Sequence, residues 1–184
     1  MGALNYNMNI SLDGYIEDSA GSIGFGVPDE DLHRFANQQT RETAAFLFGR
    51  GLYDVMEDYW TAPERADDNE VEAEFAREYV ATPRIVFSDS LESVAPGCRL
   101  VRRADAHDEV VRLKEETDGD LAVGGAGLAA SLLELIDEFR VNVHPTFIGG
   151  GKPYFPLGSD VRLRLAEQRV FGSGVVYLRY LRND

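Results

Sequence analysis

The sequence predicts an α/β protein with a mixed, mostly parallel central sheet, flanking helices on both faces and a C-terminal antiparallel hairpin. Three observations predict it. Up to Ile136, short apolar runs alternate with segments of helical spacing, and two of those runs end in glycine turns. The remainder alternates apolar with polar residues in Phe139 to Phe147, Arg162 to Phe171 and Val175 to Leu181, which is the period of a strand. Gly172-Ser173-Gly174 separates the last two runs, as a hairpin requires.

Taken in order, Leu4 to Leu12 alternates loosely and reads as the first strand, stopped by Asp13-Gly14. A loop runs to Pro28. From Asp29 to about Arg41, the spacing of Leu32, Phe35 and Ala36 predicts a helix whose early acids suit the positive end of its dipole. Thr43 to Phe48 reads as a buried strand, followed by Gly49-Arg50-Gly51 and a short helix marked by Leu52, Val55 and Met56. The acidic stretch from Tyr59-Trp60 to Asn69 reads as a surface loop, and Val71, Phe75 and Tyr79 predict a helix over Glu70 to Tyr79. Arg84 to Ser88 and Leu100 to Arg102 read as strands and Asp108 to Glu116 as a helix. Leu121 to Val123 is then a strand ending in Gly124-Gly125, with a helix over Leu128 to Ile136.

A chain of 184 residues suits one domain spanning 1–184, with enough apolar residues for a substantial core. The net charge of −14 repels nucleic acid and anionic lipid, so neither is an expected partner. An anionic ligand therefore needs a local positive site made from arginine or free helix amides. Cys98 is the only cysteine, which leaves no internal disulfide and points to a reducing cytoplasm. No apolar run approaches the roughly 20 residues of a membrane helix, and no secretory signal opens the chain. His33, His107 and His144 lack metal-ligand spacing, so no metal site is expected.

The segment richest in chemistry is Leu121-Ala122-Val123-Gly124-Gly125-Ala126-Gly127-Leu128. A buried strand that enters a helix through glycines lets backbone approach a pyrophosphate, whose charge the first helix amides accept. It is not a GxGxxG fingerprint, and such turns also serve close packing. Phe48-Gly49-Arg50-Gly51-Leu52 repeats the arrangement and adds an arginine. In open α/β sheets ligands sit outside the carboxyl ends of strands, so two such turns can face one crevice. Tyr59 and Trp60 have two readings, as caps on a planar substrate or as anchors for a loop.

The order of these pieces resembles dihydrofolate reductase and, more closely, the C-terminal reductase domain of the riboflavin-biosynthesis bifunctional deaminase-reductase. The segments that carry the resemblance are Ser11-Leu12-Asp13-Gly14, Asp31 to Phe35, Gly49-Arg50, Val86-Phe87-Ser88, Gly124-Gly125-Ala126-Gly127, and His144-Pro145 through Gly149 to Phe155. The resemblance implies a dihydrofolate-reductase-like three-layer fold and an NADPH-dependent reductase of a small pyrimidine or pteridine. It implies a pyrophosphate held by Gly124, Gly125, Gly127 and Leu128, with Gly49, Arg50 and Ser88 on the adenosine-phosphate side and Asn9 and Ile16 along the nicotinamide. Gly51-Leu52 and Asp89 depart from the family pattern, since they remove a hydroxyl and add a negative charge where a 2′-phosphate would sit. NADH therefore stands beside NADPH.

For the substrate, the resemblance singles out two carboxylates. Asp31 matches the carboxylate that binds folate, with one extra residue at the helix entry, and its neighbours Leu32 and Phe35 suggest a partly apolar setting. Asp13 matches the aspartate of the loop that borders the substrate cleft in riboflavin-type reductases. Each also has a plain structural reading, as a helix-start acid and as a turn residue. Two other functions fit the same residues: a dinucleotide-binding homodimeric module without reductase activity, and a structural homodimer joined through the late antiparallel strands.

Overall fold

Alternation sorts the side chains of the central strands onto two faces, and the helices follow. The structure, a computed structural model, describes residues 2–64, 69–155, 158 and 160–183. In chain order the strands are β1 (Leu4–Ser11), β2 (Tyr15–Glu17), β3 (Thr43–Gly49), β4 (Arg84–Phe87), β5 (Cys98–Val101), β6 (Asp120–Gly124), β7 (Glu138–His144), β8 (Lys152–Pro153), β9 (Leu163–Val170) and β10 (Val176–Arg182). The helices are α1 (Glu30–Glu42), α2 (Arg50–Trp60), α3 (Glu70–Ala81), α4 (Ala106–Glu116) and α5 (Ala126–Ser131).

Eight strands form one sheet in the order β5-β4-β3-β6-β1-β7-β10-β9, and β2 pairs with β8 in a separate two-stranded sheet. The pairs from β5 across to β7 are parallel, whereas β10 is antiparallel to both β7 and β9. Ala45 and Leu47 of β3, with Ile85 and Phe87 of β4, join Val110 of α4 and Leu128 of α5 in the main core. Phe48 and Val86 point the other way, toward Tyr53 of α2 and Tyr79 of α3. Leu32 of α1 meets Phe171, Val175 and Tyr177 on the same side as α2 and α3. The expected mixed sheet with helices on both faces is the one found.

Three expectations change. The helix after Gly49 runs on to Trp60 instead of yielding to a loop at Tyr59, because Glu57 is taken up by Tyr79 and Arg84 from below. Residues 65–68 of the expected acidic loop lie outside the described residues. The helix after Gly125 starts two residues early and stops at Ser131, where the Leu132 amide bridges two carbonyls and the chain tightens into a 3-10 turn over Leu133–Leu135. The β2–β8 pair was not foreseen, because strands of three and two residues carry no readable period.

Candidate dinucleotide and substrate site

β1 and β6 pair only from Leu4–Leu121 to Tyr6–Val123, while β1 stays paired with β7 as far as Ser11–His144. Beyond Tyr6 the two central strands part, and the open edge of β1 faces the turn at Gly124-Gly125. Crevices at the carboxyl ends of parallel strands, next to such a parting, are where ligands bind in open α/β sheets.

Both glycine turns meet at this crevice, since β3 and β6 are neighbours. Gly49 precedes α2 and Gly125 precedes α5, and neither helix has a side-chain cap, whereas Asp29 caps α1 and Asn69 caps α3. The first amides of α2 and α5 are thus left for another acceptor. A Cβ at Gly124 would collide with Leu52 Cδ2, so glycine here lets α2 press against the end of β6. Gly125 has φ +90°, a conformation that side chains resist. Its own amide lies 3.5 Å from the Met8 sulfur, a weak acceptor that a phosphate oxygen would outcompete. Gly127 is exposed in the first turn of α5, and Leu128 is buried beneath it. With six residues, α5 contributes amides more than a helix dipole.

Arg50 is the first residue of α2 and is half-exposed, with its guanidinium 2.9 Å from Ser90 Oγ and 3.4 Å from Asp54 Oδ2. Ser88 is placed differently from expectation. It is buried, and its hydroxyl accepts the Ser90 and Leu91 amides at 3.2 Å each, closing the turn after β4. Ser90, which the sequence did not single out, is the hydroxyl that reaches Arg50. Asp89 Oδ1 accepts the Arg103 amide, and the Arg102 guanidinium donates to the carbonyls of Ser88, Asp89 and Leu91. The extra acid therefore sits beside two arginines.

The remaining site residues divide. Asn9 Nδ2 donates to the Gly26 carbonyl at 3.3 Å, under a 3-10 turn over Gly24–Gly26. Ile16 is buried in the main core, not displayed on the surface. Asp13 accepts the Ile148 and Gly149 amides at 3.3 and 2.8 Å, so its carboxylate fastens the glycine-rich segment to the loop after β1. A hydrogen bond from Ser11, helped by those amides, holds its pKa below the ordinary carboxylate value. Asp31 corrects the expectation of an apolar setting. It is exposed, because Leu32 and Phe35 turn toward the sheet and leave it on the outer face of α1. The carboxylate that does face the sheet end is Asp29, which accepts the Leu32 amide at 2.9 Å and the Ser173 amide at 3.1 Å.

Two residues on β7 lie beside this crevice: His144, which the sequence offered only as part of a family motif, and Asn142, which it did not single out. His144 pairs with Ser11, and Asn142 with Asn9 on one side and Tyr177 on the other. His144 is 3% exposed, its ring meets Phe25 edge-on at 5.9 Å, and burial lowers its pKa against the opposing charge of Asp29. Their place in a β-branched, alternating strand looks like packing; only the pairing with β1 brings them to the cleft. Among the described residues no group of three or more His, Cys, Asp or Glu is arranged to hold a metal ion.

Comparison with known proteins gives this arrangement a family. Residues 3–177 match the family described as the RibD C-terminal domain. The chain belongs to that family. The RibD C-terminal domain is here 29% identical over 180 residues to the uncharacterized protein YyaP of Bacillus subtilis, covering 95% of this chain and 92% of that protein. In structure it resembles a putative riboflavin biosynthesis protein from Shewanella sp. PV-4, with TM-score 0.76, 23% identity and 99% of each chain covered. It also resembles dihydrofolate reductase from Enterococcus faecalis complexed with NADP(H), with TM-score 0.67, 14% identity, and 100% and 98% covered. A third likeness is to the Thermotoga maritima diaminohydroxyphosphoribosylaminopyrimidine deaminase/5-amino-6-(5-phosphoribosylamino)uracil reductase, with TM-score 0.68, 16% identity, and 99% of this chain but 57% of that one. The fold of this RibD C-terminal domain is dihydrofolate-reductase-like. No helix among the described residues is long and apolar enough to cross a membrane.

Proposed function

We propose that this chain is a nicotinamide-dependent reductase of a small planar nitrogen heterocycle, of the pyrimidine or pteridine class. The observation that carries the reading is the meeting of two uncapped, glycine-started helices at the place where β1 and β6 part. Those amides fit a pyrophosphate, and the glycine at 125 admits one where a side chain would strain the backbone. Gly124, Gly125, Gly127 and Leu128 hold the pyrophosphate, and Gly49 and Arg50 the adenosine side, with Ser88 shaping the turn that presents Ser90. Asn9 and Ile16 border the nicotinamide end. A bound NADPH supplies hydride to an electron-poor ring or ketose-like carbon.

The chain's own work is to exclude water, hold the ring against the open edge of β1, and admit a proton to the neighbouring heteroatom. Asp13 contributes by fixing the glycine-rich segment, and the proton comes from ordered water. Family membership supports the riboflavin-type substrate; the likenesses to the Thermotoga protein and to dihydrofolate reductase support the fold alone. NADPH is favoured over NADH by Arg50, whose half-exposed guanidinium is held by Ser90 at the turn after β4. A homodimer fits the outer edge of β9, which ends the sheet, is exposed through most of its length and carries Val170 at 72% exposure.

A second reading, a dinucleotide-binding module without reductase activity, is favoured by one observation: neither Asp31 nor Asp13 offers a free carboxyl inside the cleft. Fluorescence titration with NADPH and NADH, on the parent, Gly125→Val and Arg50→Ala, tests the cofactor half. Gly125→Val should bind neither dinucleotide, and Arg50→Ala should lose roughly tenfold for NADPH and less for NADH, as a lost charge-assisted hydrogen bond implies. Full NADPH affinity in Gly125→Val would refute the cradle. NADPH oxidation with pyrimidine and pterin acceptors separates reductase from module.

A further inference from the structure

The face of the sheet under α1 is polar where a core face would be apolar, and its polar groups are not all met. Asn7 Nδ2 donates to Gln39 Oε1, and Gln39 Nε2 donates to the Tyr177 hydroxyl, so this part of the face is tied to α1, with Asn7 Oδ1 left without a partner. The next positions toward the strand ends are Asn142 and His144, two residues apart on β7 and hence on the same face. Asn142 Oδ1 and His144 Nε2 are both buried, and no protein group hydrogen-bonds to either.

A buried polar atom without a partner destabilises a fold, and replacing it with an apolar group of similar shape is neutral or stabilising. Such atoms kept side by side at a ligand crevice therefore mark a task outside the fold. They stand about two strand rises apart, ~6.6 Å, which is the width of a substituted pyrimidine or of one edge of a pteridine. Asn142 Oδ1 accepts, and a neutral imidazole offers either a donor or an acceptor at Nε2. The roof over them is thin: Phe25 lies edge-on to His144, and Gly26 holds Asn9 through a single 3.3 Å hydrogen bond. Ile23 and Val27, on either side of that turn, are exposed.

We infer that Asn142 and His144 are the specificity-determining floor of the substrate subsite, binding the amide and amine edge of a planar nitrogen heterocycle once the 23–27 turn moves aside. The inference rests on the reductase reading and names the side chains that choose its substrate. Asn142 takes an amino or ring N–H group, and His144 Nε2 takes the adjoining carbonyl or N–H by choice of tautomer. Asn9 and Tyr177 are the register neighbours of Asn142 on β1 and β10.

The test uses the full chain, with 5,6-diaminouracil and 7,8-dihydropterin as probes, each titrated with and without NADPH. Asn142→Leu and His144→Phe should keep the parent's Tm or exceed it, keep NADPH affinity, and lose at least tenfold in probe affinity. His144→Gln, which retains a polar atom, should recover part of that loss. The probe that binds the parent more tightly identifies the ring class. Unchanged probe affinity in both variants would overturn the inference. So would a Tm below the parent's, which would mean that the two atoms serve the fold through ordered water. A parent that binds NADPH and neither probe would overturn the subsite while the dinucleotide reading stands; a parent that binds no dinucleotide would overturn the reading beneath it.

Discussion

Tyr6 and Tyr154 lie ring on ring, with centroids 4.2 Å apart and planes 11° apart, and each hydroxyl donates to the other's backbone carbonyl. The pair joins the glycine-rich segment after β7 to β1 at the last residue that β1 shares with β6. The parting of the strands is therefore fastened from behind. Tyr154→Phe keeps the stack and removes one hydroxyl donor, leaving the buried Tyr6 carbonyl short of it. A loss of about 1–3 kcal/mol is expected. Urea unfolding should show a lower midpoint with the slope unchanged; an unchanged midpoint would mean that the hydroxyl contributes nothing.

Burial pushes the phenols of Tyr6, Tyr79 and Tyr154 well above the ordinary value near 10. The sign follows from linkage. Below about pH 10 these groups are protonated in both folded and unfolded chains, so stability does not change with pH through them. Above it the unfolded chain loses protons that the folded chain keeps, and stability falls as pH rises toward the raised values. Phenolate absorbance near 295 nm should show these tyrosines ionising only together with loss of structure. Smooth ionisation near pH 10 in a folded protein would contradict their burial.

Much of the sheet is legible in the sequence because strands buried on both faces, such as Arg84–Phe87, read as short apolar runs and helices such as Glu30–Glu42 keep their spacing. The glycine turns are legible for the same reason, since Gly125 at φ +90° and Gly124 against Leu52 are demands that few other residues meet. What the sequence hides is direction. Asp31 and Asp29 are two residues apart at one helix start, and only the seating of Leu32 against Tyr177 decides which acid faces the sheet end. Ser88 and Ser90 differ in the same way across a turn. His144 and Asn142 acquire meaning only from their register against β1, a contact more than 130 residues distant along the chain.

A different region, beneath α2 and α3, holds a buried ion pair. Arg84 is 2% exposed, 3.3 Å from Glu57 Oε2, and donates as well to the carbonyls of Tyr79, Val80, Thr82 and Pro96. The Tyr79 hydroxyl donates to the same Glu57 oxygen at 3.0 Å. Removing one partner strands a buried charge, at a cost of roughly 3–5 kcal/mol, whereas removing both with apolar residues of similar size is far milder. Arg84→Met should therefore be strongly destabilised and Arg84→Met with Glu57→Leu less so. A double variant as unstable as the sum of the single ones, by chemical denaturation, would show that the pair has no coupling.

The last prediction separates the two carboxylates that the sequence singled out. Asp31 is exposed on the outer face of α1, so Asp31→Asn should leave stability unchanged and turnover within about twofold, well short of the 10²-fold expected for a general acid. Asp13 fastens the Ile148 and Gly149 amides, and its pKa is lowered by the bond from Ser11 and by those amides. A lowered carboxyl pKa contributes stability that is complete above the unfolded value near 4 and is lost as pH falls through the lowered folded value. Asp13→Asn should thus lower Tm at pH 7, and its gap from the parent should close progressively below pH 4. Because the segment it fastens leads to Tyr154 behind the cleft, KM for the heterocycle should rise more than kcat falls. If Asp31→Asn instead loses turnover by 10²-fold while NADPH still binds, the outer face of α1 must move toward the substrate in the closed complex, and Asp31 takes part in binding or protonating it.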